Sequence, residues 1–281
     1  MPTLDDLRCG TVGALDISIG CGFEFDVPVA THAVVIVEPH VEEEHRVSGA
    51  ELVTDPPLVS STYLDLFDNR CRRMTFPAGP LELRFAATVH DDGQADVVDA
   101  DAPELPPSDL PDDALNFLLP SRYCQSDVIA PFAFEQFGSV PPGWTRANTI
   151  TEWVHDRIGF DYGAASPSAT ASDVLEAGHG VCRDFAHLAI ALCRAINLPA
   201  RYVFGYLPDI AVPDPGMPMD FCAWMEVYLG DRWYTFDPRN HQHRIGRTVI
   251  ARGRDAADVA MVTTFGGVTL RRMTVTAEQM S

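Results

Sequence analysis

The hydrophobic pattern changes period once along the chain. Over the first 100 residues, apolar positions fall in short alternating or β-branched runs: Cys9–Ile19, Ala30–Glu38, and Met74 onward through Leu81–Val89. Turn formers separate these runs at Asp55-Pro-Pro, Asp68-Asn69, Pro77-Ala-Gly-Pro80 and Asp91-Asp-Gly93. Alternation with that punctuation predicts an antiparallel, sandwich-like all-β domain. After residue 120 the spacing becomes helical. Ser121–Phe137 and Asn148–Ile158 repeat apolar residues every three to four positions, and Ser172–Glu176 reads as a short helix capped by its serine. Phe185, Leu188, Ala189, Leu192, Cys193 and Ile196 form the apolar stripe of a buried helix that ends at Leu198-Pro199. Ala200–Tyr206 then reads as a strand, Leu207–Met219 as a proline-rich loop, and Phe221–Leu229 with Arg232–Asp237 as a hairpin turned at Gly230-Asp231. Helices followed by a hairpin are an α+β layout.

Charge sharpens the division. The 281 residues hold forty carboxylates against twenty arginines and no lysine, a formal charge of −20. Residues 1–120 carry 23 carboxylates and 6 arginines, whereas residues 121–281 carry 17 and 14. The proline- and acid-rich stretch from Val98 to Asp113 has the composition of an extended linker. We therefore expect a β domain over residues 1–110 and an α+β core over 111–281. A field of this sign disfavours nucleic acid and anionic membrane surfaces as partners. No apolar run reaches the ~20 residues that span a bilayer, and Met1–Asp6 lacks the basic and apolar segments of a signal peptide. The expectation is a cytoplasmic protein. Its seven cysteines, at 9, 21, 71, 124, 182, 193 and 222, form no CxxC pair, so reduced thiols are the default.

One cysteine sits where a thiolate is favoured. Cys182 opens the long helix just after Gly178-His-Gly180, where unpaired N–H groups and the helix dipole lower a thiol's pKa and can hold an oxyanion. On the hairpin, Cys222, Trp224, Glu226 and Tyr228 share one strand face by the two-residue period, and Asp237 ends the second strand. A helix-start nucleophile, a residue on one strand and a carboxylate on the next follow the spatial logic of a Cys–His–Asp triad.

The segments GVCRDFAHLAIALCRAINLPARYVFGY and FCAWMEVYLGDRWYTFDP resemble the transglutaminase-like cysteine-hydrolase core. Tyr63–Arg70 resembles, less specifically, part of the β domain that precedes that core in bacterial members. The resemblance implies a papain-like fold, its helix-start cysteine packed on an antiparallel sheet, with a peptide or protein amide as substrate and no cofactor or metal. Position by position, it makes Cys182 the nucleophile and Asp237 the carboxylate that orients a base. The family's His-Ala-Trp motif is here Cys222-Ala223-Trp224, so a thiol stands where the imidazole is expected. Trp224 is the candidate substrate-binding aromatic, in the core or in the cleft wall.

Four histidines are alternative bases. His187 lies about 140° round the helix from Cys182 and should point elsewhere; His179 could reach across the turn, and His241 or His243 could fold back over the site. The leading expectation is an acyl-thioester chemistry on Cys182, with hydrolysis favoured over crosslinking. The alternatives are an inactive binding or scaffold protein, and a redox- or metal-responsive pair formed by Cys182 and Cys222. Glu42-Glu-Glu44 is expected as a solvated face, Arg183-Asp184 as a helix cap, and the arginines at 244, 247, 252 and 254 as bridges to carboxylates within the fold.

Overall fold

The computed structural model describes residues 12–213 and 215–280. The expectations for Met1–Asp6 and for the start of the Cys9–Ile19 run lie outside the described residues. The first region holds β1 (Leu15–Val27), β2 (Thr31–Val35), β3 (Val47–Asp55), β4 (Ser60–Leu64), β5 (Arg70–Phe76) and β6 (Gly79–Asp91). Next come α1 (Asp112–Leu115), α2 (Ser126–Phe137), α3 (Trp144–Arg157), β7 (Gly159–Phe160), α4 (Ala171–Ala177), β8 (His179–Gly180) and α5 (Cys182–Ala195). The chain finishes with β9 (Ala200–Tyr206), β10 (Cys222–Leu229), β11 (Arg232–Phe236), β12 (Thr248–Gly253), β13 (Val262–Thr264) and β14 (Thr269–Gln279).

Two four-stranded antiparallel sheets, ordered β14-β1-β6-β3 and β13-β2-β5-β4, form the sandwich. Their inward residues meet: Phe25 of β1 packs on Phe76 of β5 with ring centroids 5.4 Å apart. The core has its own antiparallel sheet, β11-β10-β9-β12, against which α5 packs. The α5 stripe is almost wholly buried, as its spacing requires.

Three boundaries differ from the sequence expectation. Strands β13 and β14 return to pair with β2 and β1, so the chain from residue 262 to 279 completes the β domain rather than the core. The acidic stretch after β6 is extended but pinned. Tyr234 donates to Asp99 at 3.1 Å, Arg146 bridges Glu104 at 2.9 Å, and Trp144 N–H donates to the Ala102 carbonyl at 3.0 Å. Helix α4 is capped by Thr170, not Ser172: the Thr170 hydroxyl accepts from Asp173 N–H and the Asp173 carboxylate answers the Thr170 N–H.

Charge joins the two regions. Glu43 is buried and accepts the Val249 N–H of β12 at 3.1 Å, while Glu42 pairs with Arg252 at 2.7 Å. Glu42 and Glu44 stay exposed, as the sequence suggested, while Glu43 turns inward and makes the contact with β12. The four arginines do bridge carboxylates: Arg244 to Asp209, Arg247 to Asp96 and Asp237, Arg252 to Glu226, Arg254 to Asp258. Among the described residues no helix is long and apolar enough to cross a membrane.

Candidate active site

The alternation of β10 divides its side chains between two clusters. Ala223, Met225 and Val227 share the large core with α5, whereas Cys222 and Trp224 join Val203, Leu207 and Val249 on the other face. Cys182, the first residue of α5, packs against both. It therefore reaches round the start of β10 to Cys222, the strand's first residue. Val181 provides no side-chain cap to α5; Asp184 turns back instead to accept the Val181 N–H at 3.0 Å and holds Arg183 at 2.8 Å, the capping role expected of that pair.

The two thiols line the same cavities, and the Cys222 S–H donates to the Ala223 carbonyl at 3.7 Å. The neighbouring Cys222 thiol first, then the Ala223 N–H and the Arg239 guanidinium, place the Cys182 thiol below the ordinary cysteine range despite its desolvation. Cys222 is driven the opposite way, well upward, by its neighbour Cys182, by burial and by the nearby Asp237 carboxylate. The other cysteines behave as buried hydrophobes: burial pushes Cys21 and Cys71 up to about 11 and Cys124 up to about 12, and raises Cys193.

Asp237 is fully engaged. Its Oδ1 accepts from the Arg239 and Asn240 N–H groups at 3.2 and 2.9 Å; its Oδ2 accepts from Asn240 Nδ2 and Arg247 Nη2, both at 2.8 Å. Burial alone would raise its pKa, but Arg247 and Asn240 hold it below the ordinary carboxylate range. Arg247 also grips Asp96 through Nε, at 3.0 and 2.9 Å, and stacks 4.8 Å over the Trp224 ring. The structure thus gathers Cys182, Cys222 and Asp237, with Arg247 taking up the carboxylate that would orient a base.

Trp224 lies behind the site, 1% exposed and absent from the walls of both cavities that reach the thiols. Its ring passes so close to Gly205 of β9 that a Cβ there would lie 2.7 Å from the indole. Its place is that of a buried support rather than a cleft-wall aromatic. Both thiols open onto a cavity of about 360 Å³ walled mostly by apolar side chains, among them Tyr202, Phe204, Phe221, Met261 and Met273, with Arg183 and Asp220 also on its wall. A smaller space of about 50 Å³ lies under the proline-rich loop beside Tyr162, Asp220 and Arg239.

No imidazole hydrogen-bonds either thiol among the described residues. His187 is fully buried, accepts the Ala256 N–H at 3.1 Å and stacks on Tyr123, and burial first, then Arg183 and Arg194, hold it neutral. His179 is exposed, His241 packs on His155 at 5.3 Å, and His243 is half-buried near Asp96 and Arg247. Nor do three His, Cys, Asp or Glu side chains gather for a metal among the described residues.

Arg247, Asn240, Arg239 and the Ala223 N–H escaped the sequence reading as parts of this site. Asn240 had a signal, since an Asx-type turn at Asp237-Pro-Arg-Asn240 aims its amide back at the carboxylate. Arg247 was legible as a bridge, but its partners lie in β11's exit and in a segment 151 residues away.

Residues 132–238 match the family described as the transglutaminase-like superfamily. The crystal structure of a putative cysteine protease from Cytophaga hutchinsonii is similar over 97% of this chain and 93% of its own, with 30% identity and a TM-score of 0.85. An uncharacterized protein of Mycobacterium tuberculosis is 34% identical over 143 residues, 48% of this chain and 46% of its own. One from Mycobacterium leprae is 31% identical over 111 residues, 38% of this chain and 39% of its own. The chain therefore spans less than half the length of the curated relatives it matches.

Proposed function

For a chain that belongs to the transglutaminase-like superfamily, we propose a thiol enzyme that opens peptide or amide bonds through an acyl-thioester on Cys182. The observation that carries the proposal is the place of Cys182: it stands at a helix start, on a largely apolar cavity, with Arg239 nearby and its thiol held below the ordinary cysteine range. The likeness to a structure described as a putative cysteine protease supports the same substrate class.

The steps follow from the groups present. The Cys182 thiolate attacks the carbonyl carbon, and the N–H groups at the start of α5 face the developing oxyanion. Cys222, in the position the family gives to histidine, supplies its proton to the leaving amine and becomes a thiolate. That thiolate then takes a proton from the water that opens the thioester, which restores both groups. A thiol whose pKa is raised is a poor proton shuttle near neutrality. Turnover is therefore slow relative to an imidazole-assisted site, with deacylation as the slow half. The apolar cavity suits an uncharged, bulky side chain next to the scissile bond. The cytoplasmic setting and the preference for hydrolysis over crosslinking belong to the same proposal.

One observation favours a second reading, a member that holds peptides without cleaving them: Asp237 has every oxygen occupied and no imidazole to orient. The two separate in one experiment. Incubation with an activated apolar acyl ester, followed by intact and peptide mass analysis, should leave an acyl group on Cys182 that hydroxylamine removes. Protein that binds the ester's peptide analogue but never carries the acyl group would establish the binder.

A further inference from the structure

Two free thiols lie together in this cleft, and acyl transfer uses only one of them as a nucleophile. The six described cysteines are all free, and Cys182, the first residue of α5, packs on the cluster that holds Cys222, the first residue of β10, with both lining the same two cavities. Cys182 is partly exposed, whereas Cys222 is buried behind it at 5% exposure. Both line the cavity of about 360 Å³, large enough to admit a small molecule to the Cys182 sulfur. The Arg239 guanidinium, stacked on Phe160, lies on the other side of the same sulfur, in the smaller space. A partly exposed cysteine near a cation, with a second thiol beside it on the same cavity, has the parts needed for attack on a peroxide and for resolution.

We propose that Cys182 and Cys222 form a peroxide-oxidised dithiol, in which a small hydroperoxide converts the pair to an intramolecular disulfide. In the first step the Cys182 thiolate attacks the outer oxygen of the hydroperoxide. An S–O bond forms, the O–O bond breaks, and the alkoxide leaves with the Cys222 proton as an alcohol. In the second step the Cys222 thiolate attacks the Cys182 sulfenic sulfur; the S–S bond forms and hydroxide departs, taking up the proton that Cys182 had shed on ionising. The two thiols lose two electrons, and the hydroperoxide yields one alcohol and one water. The order of roles follows from exposure, because Cys182 is the partly exposed member of the pair and Cys222 the buried one. The consequence, loss of the acyl-transfer nucleophile until a thiol reductant restores it, rests on the function proposed above; the oxidation itself does not.

The test uses the full chain, fully reduced, treated with one equivalent of hydrogen peroxide or tert-butyl hydroperoxide and then alkylated and digested. The expected result is one new linked species, two hydrogens lighter than its parts, joining the Cys182 and Cys222 peptides. Cys182 alkylation should be lost nearly completely, and dithiothreitol should restore it. With dimedone present, Cys222→Ser should accumulate a dimedone adduct on Cys182 that the native protein lacks. A native protein that gives the dimedone adduct, or that joins Cys182 to any other cysteine, overturns the proposal without recourse to the variant. Disulfide formation in protein that never accepts the acyl ester sinks the acyl-transfer reading alone. Acylation without the disulfide sinks this one alone.

Discussion

Arg247→Met is the substitution that most sharply tests how the site is held. The guanidinium joins Asp96, from the segment after β6, to Asp237, at the end of β11, and all three side chains are less than one-tenth exposed. Methionine keeps much of the apolar stem over Trp224 but leaves two buried carboxylates without their cation. Breaking a buried pair by removing one partner costs about 3–5 kcal/mol. Doubling that figure would overstate the loss, because Asp237 keeps Asn240 and two backbone donors and Asp96 keeps the Arg244 N–H at 2.9 Å. For a chain of this size each kcal/mol moves Tm by roughly 2–4 °C, so a fall of about 6–20 °C is expected near pH 7. The sign of the pH dependence follows. In the parent, Asp237 has a lowered pKa, so its contribution is present above the ordinary carboxylate range and is lost as pH falls through the folded value. The gap between parent and variant should therefore narrow on acidification. Differential scanning calorimetry or fluorescence melts from pH 7 to pH 3 read it directly. A variant within about 1 °C of the parent at pH 7, or a gap that widens in acid, would refute the reasoning.

Three further outcomes are expected. Cys222→Ala removes the neighbouring thiol that contributes most to lowering the Cys182 pKa, so the midpoint of Cys182 alkylation should move to higher pH; an unchanged midpoint would assign the lowering to the helix start alone. His187→Leu strands the Ala256 N–H while removing an unpartnered Nδ1, for a net loss of about 1–2 kcal/mol in urea denaturation with Cys182 alkylation unaltered, whereas a changed alkylation profile would return His187 to the chemistry. Glu226, buried between Arg201 and Arg252 at 2.6 and 3.0 Å, is held below the ordinary glutamate range against its burial. Glu226→Gln should therefore lose stability at neutral pH and approach the parent in acid, as read from denaturation midpoints.

The parts of the fold legible in the sequence are those set by local period. The α5 stripe, the β10–β11 hairpin and the strand β6 declare themselves through 3.6- and 2-residue spacing, and with them the placing of Cys182 against the cluster of Cys222 and of Asp237 just after β11. Pairings made at long range were not legible. Strand β14 pairs with β1 over a separation of more than 240 residues, and nothing in its own alternation names the partner. The stretch from Val98 to Asp113 has the composition of an extended linker, yet Asp99 and Glu104 each find a donor in the core. Composition records charge but not its counter-ion. Trp224 shows the limit of period alone: alternation put it on the Cys222 face, but only the close approach to Gly205 and the Arg247 stack bury it there.

The central claim is that Cys182 is an activated thiolate despite the thiol where an imidazole is expected. Alkylation by iodoacetamide between pH 5 and 9, with each cysteine followed by peptide mass analysis, tests it most directly. Cys182 should react first, with a midpoint below the ~8.5 of an unperturbed thiol, while Cys21, Cys71, Cys124, Cys193 and Cys222 stay largely unmodified in the folded protein. A Cys182 that at pH 6 reacts no faster than an ordinary exposed thiol would contradict the account.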